Sequence, residues 1–410
     1  MYRNGGLVCY LISRQYGIPG TRGQKTKLEN LYENWHSQEL GKKLNTIVIG
    51  AKSIFAIASS ADNQYVACAT ARHDLIVLKI QPKICYYTSL SGHKRSPICL
   101  AFHPTDSRLL VSGSLDKTVI LWDIHNTNNP ILSTWNSYIN PISAVNFNPV
   151  VPDILLVVTV HNFTCLCVTQ SKLEVVKVIS LPVMERIIGM AKFHPSNGKL
   201  LTATRALTGQ YTEVMPRPYP SGFCCELHFW DNVTWPHMKF NDETDTLLFS
   251  GAYICTTDSC SMNGDLLACM CQQSYETLCF EIMIVSTSPK SWGNILTKVK
   301  CRLQINSLSL SSSGLLLLTY TNFANSTSEI PWHWGIMKLN KDIVNDKESY
   351  SLQCVVSPYT PYSTRRLFSN SHHDPTGIPN NAQWLPYPIM GVVWGTSSGM
   401  LCIMSNYYSW

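Results

Sequence analysis

The chain has 410 residues, 45% of them hydrophobic and 14% charged, with 22 Gly and 22 Pro spread along its whole length. This balance excludes a disordered or collagen-like polymer and favours one large domain built from many short strands and turns. A formal net charge of +6 is too mild and too scattered for a nucleic-acid binder, although it leaves room for a local anion site.

Residues 1–25 are rich in Gly, Arg and polar side chains, carry no period, and are expected to be disordered. The pattern changes over residues 26–44. Thr26-Lys-Leu-Glu29 is a capping box, Leu28, Leu31, Tyr32 and Trp35 recur at helical spacing, and Gly41 marks a stop. These features predict a short amphipathic helix. Its apolar face lies outside the strand rhythm that follows, so it must dock either on the rest of the chain or in a partner's groove.

From residue 45 to 410 the chain alternates strands and turns. Strands are expected at Ile54–Ala58, Tyr65–Thr70, Leu75–Ile80 and Tyr86–Leu90, then at Ile98–His103, Arg108–Ser112, Thr118–Trp122 and Ile131–Trp135. A third group spans Ile142–Phe147, Ile154–Val160, Phe163–Val168 and Val175–Leu181, and its Asn148-Pro149 echoes His103-Pro104. The fourth group runs from Ile188–Phe193 through Leu200–Thr204 to Glu226–Asp231, interrupted by a Pro- and Gly-bearing insertion at 206–224. Related phrases, Ser261-Met-Asn-Gly-Asp-Leu-Leu-Ala268 and Ser311-Ser-Ser-Gly-Leu-Leu-Leu-Leu318, mark the fifth and sixth. After a long loop at 357–380, Asn381–Trp384, Met390–Trp394 and Met400–Met404 supply only three strands of a seventh. Thr46–Ile49 is expected to pair beside Leu401–Met404 and complete it, which would remove a sheet edge.

The most informative segment is Gly92–Asp123, GHKRSPICLAFHPTDSRLLVSGSLDKTVILWD. Its opening Gly-His and closing Trp-Asp bound one blade of a WD repeat, and one blade requires neighbours to cover both of its faces. The expected fold is therefore all-β, a seven-bladed WD-repeat β-propeller of about 50 residues per blade, preceded by the short helical segment. In WD-repeat proteins that this segment resembles, a buried polar network joins the residues that here are His93, Ser112, Asp116 and Trp122. The same residue types could form a catalytic Ser/His/Asp set, but a structural network that stiffens the blade is the expected reading.

Other sites are weighed on context. Gly395-Thr-Ser397-Ser-Gly399 matches a nucleophile-elbow pattern, but Trp394 before it and Met400 after it belong to strands, where an elbow needs a strand leading into a helix. The 16 Cys include Cys165-x-Cys167 and Cys269-x-Cys271, which place both thiols on one strand face and read as small core residues. No Cys-x-x-Cys pair, P-loop, H-E-x-x-H or Gly-rich dinucleotide motif occurs, so neither metal nor cofactor is expected, and no enzymatic activity. Leu7–Ile12 is too short for a signal-peptide core and no apolar run is of membrane-spanning length. The cytoplasm is the expected location, with the nucleus also open.

Several motifs together resemble the Ambra family, the activating molecules of Beclin-regulated autophagy, over residues 26–404. They are Gly92-His-Lys-Arg-Ser-Pro97, Phe102-His-Pro104, Ser112-Gly-Ser-Leu-Asp116, Trp122-Asp-Ile-His125, Met184-Glu-Arg186, Leu200-Leu-Thr-Ala203, Arg365-Arg-Leu-Phe368 and Gln383-Trp-Leu-Pro386. The resemblance implies a non-catalytic substrate receptor of a cullin-4 RING ubiquitin ligase with a role in autophagy. The helical segment, through Leu28, Leu31, Tyr32 and Trp35, would grip the ligase's damaged-DNA-binding adaptor. The Trp-Asp-x-Arg box of many such receptors is absent, since His125 stands at the Arg position. The resemblance further points to D-type cyclins as substrates, and a phosphorylated degron would need Arg forks and Lys charge. Arg72, Lys94, Arg95, Arg186, Arg365 and Arg366 are the candidates. Beclin is a further expected partner, in a scaffold role that needs no ligase. Ambra proteins carry a very long disordered region inside blade four, where this chain has only 206–224, so the resemblance does not extend to partners that dock on that region.

Overall fold

The computed structural model describes the strands between residues 44 and 405 and most of their turns; residues 1–43, 207–223, 231–243, 322–331, 357–378, 406–410 and several shorter connections lie outside the described residues. The expected helix at 26–44 therefore falls outside them, except that Leu44 begins a strand. Arg365 and Arg366 also lie outside, as does the body of the 206–224 insertion.

Among the described residues the strands form seven four-stranded antiparallel sheets. From the inside outward, blade one is Ile54–Ser59, Tyr65–Thr70, Asp74–Lys79 and Cys85–Ser91. Blade two is Pro97–Phe102, Leu109–Ser114, Thr118–Asp123 and Ile131–Asn136, and blade three is Ala144–Phe147, Ile154–Val158, Asn162–Thr169 and Lys172–Ser180. Blade four, Arg186–Phe193, Leu200–Ala206, Cys224–Trp230 and Thr244–Ser250, has an outermost strand for which the sequence offered no clear pattern. Tyr253–Cys260, Leu266–Gln272, Phe280–Ser286 and Ile295–Cys301 make blade five, and Gln304–Leu310, Leu315–Thr321, Trp332–Val344 and Lys347–Val356 make blade six. Blade seven combines Pro379–Leu385, Gly391–Thr396 and Met400–Ser405 with Leu44–Val48 from the other end of the chain. Each innermost strand touches the next, and that of blade seven touches that of blade one, so the sheets close into a β-propeller.

The closing pair runs antiparallel, with Leu44 opposite Met404, Thr46 opposite Cys402 and Val48 opposite Met400. The strand starts two residues earlier than the sequence pattern suggests, because Asn45 has a partner in Ile403 as good as those of its apolar neighbours. Ile49 adds one more bond, donating its amide to the Gly399 carbonyl at 3.1 Å.

Two-residue periodicity explains the core. All six residues of Tyr65–Thr70 are buried. Val66 and Cys68 face blade seven and pack with its Val393, Leu401 and Ile403 and with Ile54 of their own blade, while Ala67 and Ala69 face blade two and pack with Leu110, Ile120 and Trp122. A middle strand thus has no solvent face and reads as a continuous apolar run. Blade faces approach closely: a Cβ on Gly395 would lie 2.5 Å from Cγ2 of Ile54 across the closure seam. Gly395→Ala should therefore cost about 1–3 kcal/mol through overpacking, measured as a lower midpoint in chemical denaturation; an unchanged midpoint would mean that the seam is looser than this.

In six of the seven sheets the pairing between innermost and second strands slips near the start of the innermost strand, as at Ile54/Ala56, Pro97/Cys99 and Pro379/Asn381. A bulge there increases the local twist, which suits strands crowded around a narrow centre.

Candidate functional site

The turns that follow innermost strands two and three show why His103-Pro104 and Asn148-Pro149 echo one another. Nδ1 of His103 accepts from the Asp106 amide at 3.1 Å, and Oδ1 of Asn148 accepts from the amides of Val150 and Val151 at 2.9 and 3.1 Å. Each side chain caps its own turn and also reaches the next blade. His103 stacks edge-on against Phe147, and Nδ2 of Asn148 donates to the Gly198 carbonyl at 3.2 Å.

In blade two a longer polar chain crosses the sheet. Nε1 of Trp122 donates to Oγ of Ser112 at 2.8 Å, Oγ of Ser112 lies 2.6 Å from Nε2 of His93, and Nδ1 of His93 lies 3.0 Å from Oδ2 of Asp116. A carboxylate can only accept, which assigns the proton to Nδ1 and makes Nε2 the acceptor for the Ser112 hydroxyl. Asp116 also accepts from the Lys94 amide at 2.8 Å and from the amide and hydroxyl of Thr118. Lys117 adopts a positive φ of 72° to complete the turn.

The order Ser, His, Asp is that of a hydrolytic triad, yet the geometry is that of a strut. Ser112 is fully buried and its oxygen already accepts the indole proton, so no carbonyl carbon can approach it. The other serine candidate, Ser397, lies in the hairpin turn between Gly391–Thr396 and Met400–Ser405, with Gly399 at a φ of 79°. That turn joins two antiparallel strands, so the strand-to-helix geometry of an elbow is replaced.

The network sets a pH dependence. Burial lowers the pKa of His93 from its ordinary 6.5, an effect only partly offset by Asp116. His103 is lowered in the same way, first by burial and with partial offset from Asp153 and Asp106. For Asp116 burial acts upward, but the bonds from Thr118 and Lys94 and the proximity of His93 outweigh it and hold the carboxyl below 3.8. A histidine whose folded pKa is depressed contributes stability above its unfolded pKa and loses it as pH falls toward the folded value. The melting temperature should therefore be level above pH 7 and decline below about 6.5, with carboxylate protonation adding to the loss below 3.8. Melting curves at pH 7.5 and 5.5 check this, and His93→Gln should flatten the difference. A curve that rises on acidification would contradict the assignment.

The sequence-predicted cations divide by position. Lys94 and Arg95 are exposed beside the Asp116 turn, the Arg95 carbonyl accepting from Oγ of Ser114 at 2.9 Å. Arg72 is exposed on the corresponding turn of blade one. Arg186 opens the innermost strand of blade four, opposite Ala206. Because every blade runs in the same sense, these four positions share one rim of the ring. On the opposite rim, at the seam of blades one and two, is a cluster that the sequence reading missed: Tyr65, Tyr87 and His125 have ring centroids 5.0–6.0 Å apart. His125 thus occupies the position of the missing Arg with its ring edge-on to two tyrosines. The residues are far apart in sequence, and no single-blade pattern joins them.

Among the described residues, most cysteines sit in the core. Burial pushes the thiols of Cys99 and Cys402 up to about 12 and that of Cys68 higher still. Cys165 is buried, as its strand pattern requires, whereas Cys167 is half-buried and Cys85 is exposed on an outermost strand.

Comparison with known proteins bears on both fold and family. The model for the WD domain, G-beta repeat, matches residues 84–123. The β-propeller domain of Cps50 (Swd1) from Myceliophteria thermophila shares the fold, with a TM-score of 0.59 at 13% identity, covering 88% of this chain and 98% of that one. The zebrafish (Danio rerio) activating molecule in BECN1-regulated autophagy protein 1A is 27% identical over 301 residues, which cover 67% of this chain and 21% of the relative. Its counterpart 1B is 29% identical over 218 residues, or 52% of this chain and 15% of that one. The chain is an Ambra-like WD-repeat protein. It spans about a fifth or less of the length of these curated relatives. A shorter likeness to the GATOR2 complex protein Wdr59 of Drosophila melanogaster, 35% over 101 residues, covers 25% of the Ambra-like chain.

Proposed function

We propose that the chain is a non-catalytic substrate receptor of a cullin-4 RING ubiquitin ligase that acts in autophagy regulation. The observation that carries this reading is the likeness to the Ambra relatives over 67% of the chain, together with the apolar pattern of Leu28, Leu31, Tyr32 and Trp35 ahead of the closing strand. In this reading the N-terminal segment grips the damaged-DNA-binding adaptor, and the rim bearing Arg72, Lys94, Arg95 and Arg186 receives an acidic or phosphorylated segment of a substrate such as a D-type cyclin, with Arg365 and Arg366 as further candidates. The protein needs no chemistry of its own. Holding a substrate near the charged ubiquitin carrier raises the effective concentration of its lysines. Purified adaptor titrated against the chain and against Leu28→Ala with Leu31→Ala tests the first contact. The double variant should bind at least tenfold more weakly while melting normally, a loss of about 1.4 kcal/mol or more; equal affinity would remove the segment from the interface.

The name of the relatives, activating molecules in BECN1-regulated autophagy, favours a second reading, an autophagy scaffold that binds Beclin without a ligase. It predicts that autophagic flux depends on the chain but not on Leu28 and Leu31.

A further inference from the structure

At the closure seam, between the strand Leu44–Val48 and the outer half of blade one, lies an apolar cavity of about 260 Å³ lined by Ile47, Ile49, Ile76, Leu78, Ile84, Cys85 and Tyr86. The seam core beneath it is complete: Ile54, Val66, Cys68, Leu401 and Ile403 are 0–1% exposed. Ile47, Ile49 and Ile76, packed on that core, are only partly buried, and Tyr86 is 62% exposed. Among the described residues the wall is thus one apolar layer short. A seam left this way would lose stability from its own surface and present a sticky patch.

We propose that this cavity is the seat of Trp35 from the same chain. The 43 residues ahead of the strand end at Leu44, the first residue of the strand whose Ile47 lines the cavity, so the segment is delivered to the site by its own connection. Nine positions separate Trp35 from Leu44, enough to reach about 30 Å when extended. The volume suits the occupant, since a cavity of roughly 150 Å³ holds a benzene ring, and the larger indole needs correspondingly more. The lining is aliphatic and offers one exposed aromatic, Tyr86, with which an indole can stack. A second copy or a foreign peptide would have to compete with a side chain held at high effective concentration. Seating Trp35 fixes the segment on the propeller and leaves Leu28, Leu31 and Tyr32 for a partner. This inference takes Trp35 out of the adaptor contact and rests that contact on Leu28, Leu31 and Tyr32, so that either reading can fail without the other.

Cys85 in the cavity wall is an exposed free thiol and provides a direct test. In the full chain carrying Trp35→Cys, mild oxidation followed by peptide mapping should find position 35 joined to Cys85 in preference to the other cysteines. A chain that melts like the parent, yet leaves position 35 reduced or joined elsewhere, would overturn the proposal. The unmodified thiol gives a second readout that does not depend on that variant: Cys85 should react with a maleimide several-fold faster in Trp35→Ala than in the parent, and equal rates would equally overturn it. Adaptor affinity, measured on the same proteins, separates this result from the fate of the receptor reading.

Discussion

Removing Leu44–Val48 should unfold the ring as a whole and not merely fray one blade. The strand pairs over five positions with Met400–Met404, and at about 1 kcal/mol net per hydrogen bond their loss approaches the lower end of the roughly 5–15 kcal/mol that keeps a domain folded. Leu401 and Ile403, now 0–1% exposed in the seam core, would lose the cover of Ile47, and Met400–Ser405 would become an open edge. A deletion of residues 44–48 is therefore expected to lose the cooperative melting transition and to aggregate in size-exclusion chromatography. A milder variant, Asn45→Pro, removes one backbone donor from the closing ladder, where the Ile49 bond to Gly399 sets the alternation, and should lower the midpoint without changing the m-value. Normal melting of the deletion would mean that blade seven stands without its fourth strand.

Ser112→Ala should have the largest effect of any single atom removed from the second blade. The Ser112 oxygen joins Trp122 to His93 in a fully buried position, so its loss strands the indole N–H and Nε2 of His93 together. Leaving a buried group unsatisfied costs about 1–3 kcal/mol, and two such groups give about 2–6 kcal/mol. Ser112→Thr should not rescue, because the added methyl has no room in a position with 0% exposure. The measurement is a denaturation midpoint, run as a double-mutant cycle with His93→Gln. A coupling energy near zero would show that the two residues act independently and that the network is not one unit.

The strands were legible where two signals coincided. Apolar runs bounded by turn residues located Tyr65–Thr70 without error, and the shortage of a strand in blade seven led directly to the closing pair. Boundaries moved by a residue or two where pairing overrode composition. His103 leaves its strand to cap a turn, Arg108 precedes its strand and binds Asp106 at 2.8 Å, and the Ile154 strand stops at Val158 so that Thr159 can bond Asn162. Outermost strands were least legible, because they pack on one side only and need no regular apolar pattern; Thr244–Ser250 shows this.

The site was legible only within one repeat. His93, Ser112, Asp116 and Trp122 lie at fixed spacings in a single blade and meet as a WD-repeat resemblance implies. The Tyr65, Tyr87 and His125 cluster and the Trp384 bonds to Ser309 join neighbouring blades, and their spacing depends on how sheets stack, which no local pattern encodes. The recurring bulges in the innermost strands were hidden for the same reason: crowding at the ring centre imposes them, and the Ile or Pro at which each slip begins is equally at home in regular strand and strand-end positions.

The most direct test of the receptor reading is affinity purification with mass spectrometry, comparing the intact chain with one lacking residues 26–43 after both are shown to melt cooperatively. The adaptor and cullin-4 should accompany the intact chain and vanish from the shortened one. Their absence from both, or their equal recovery with both, would contradict the receptor reading.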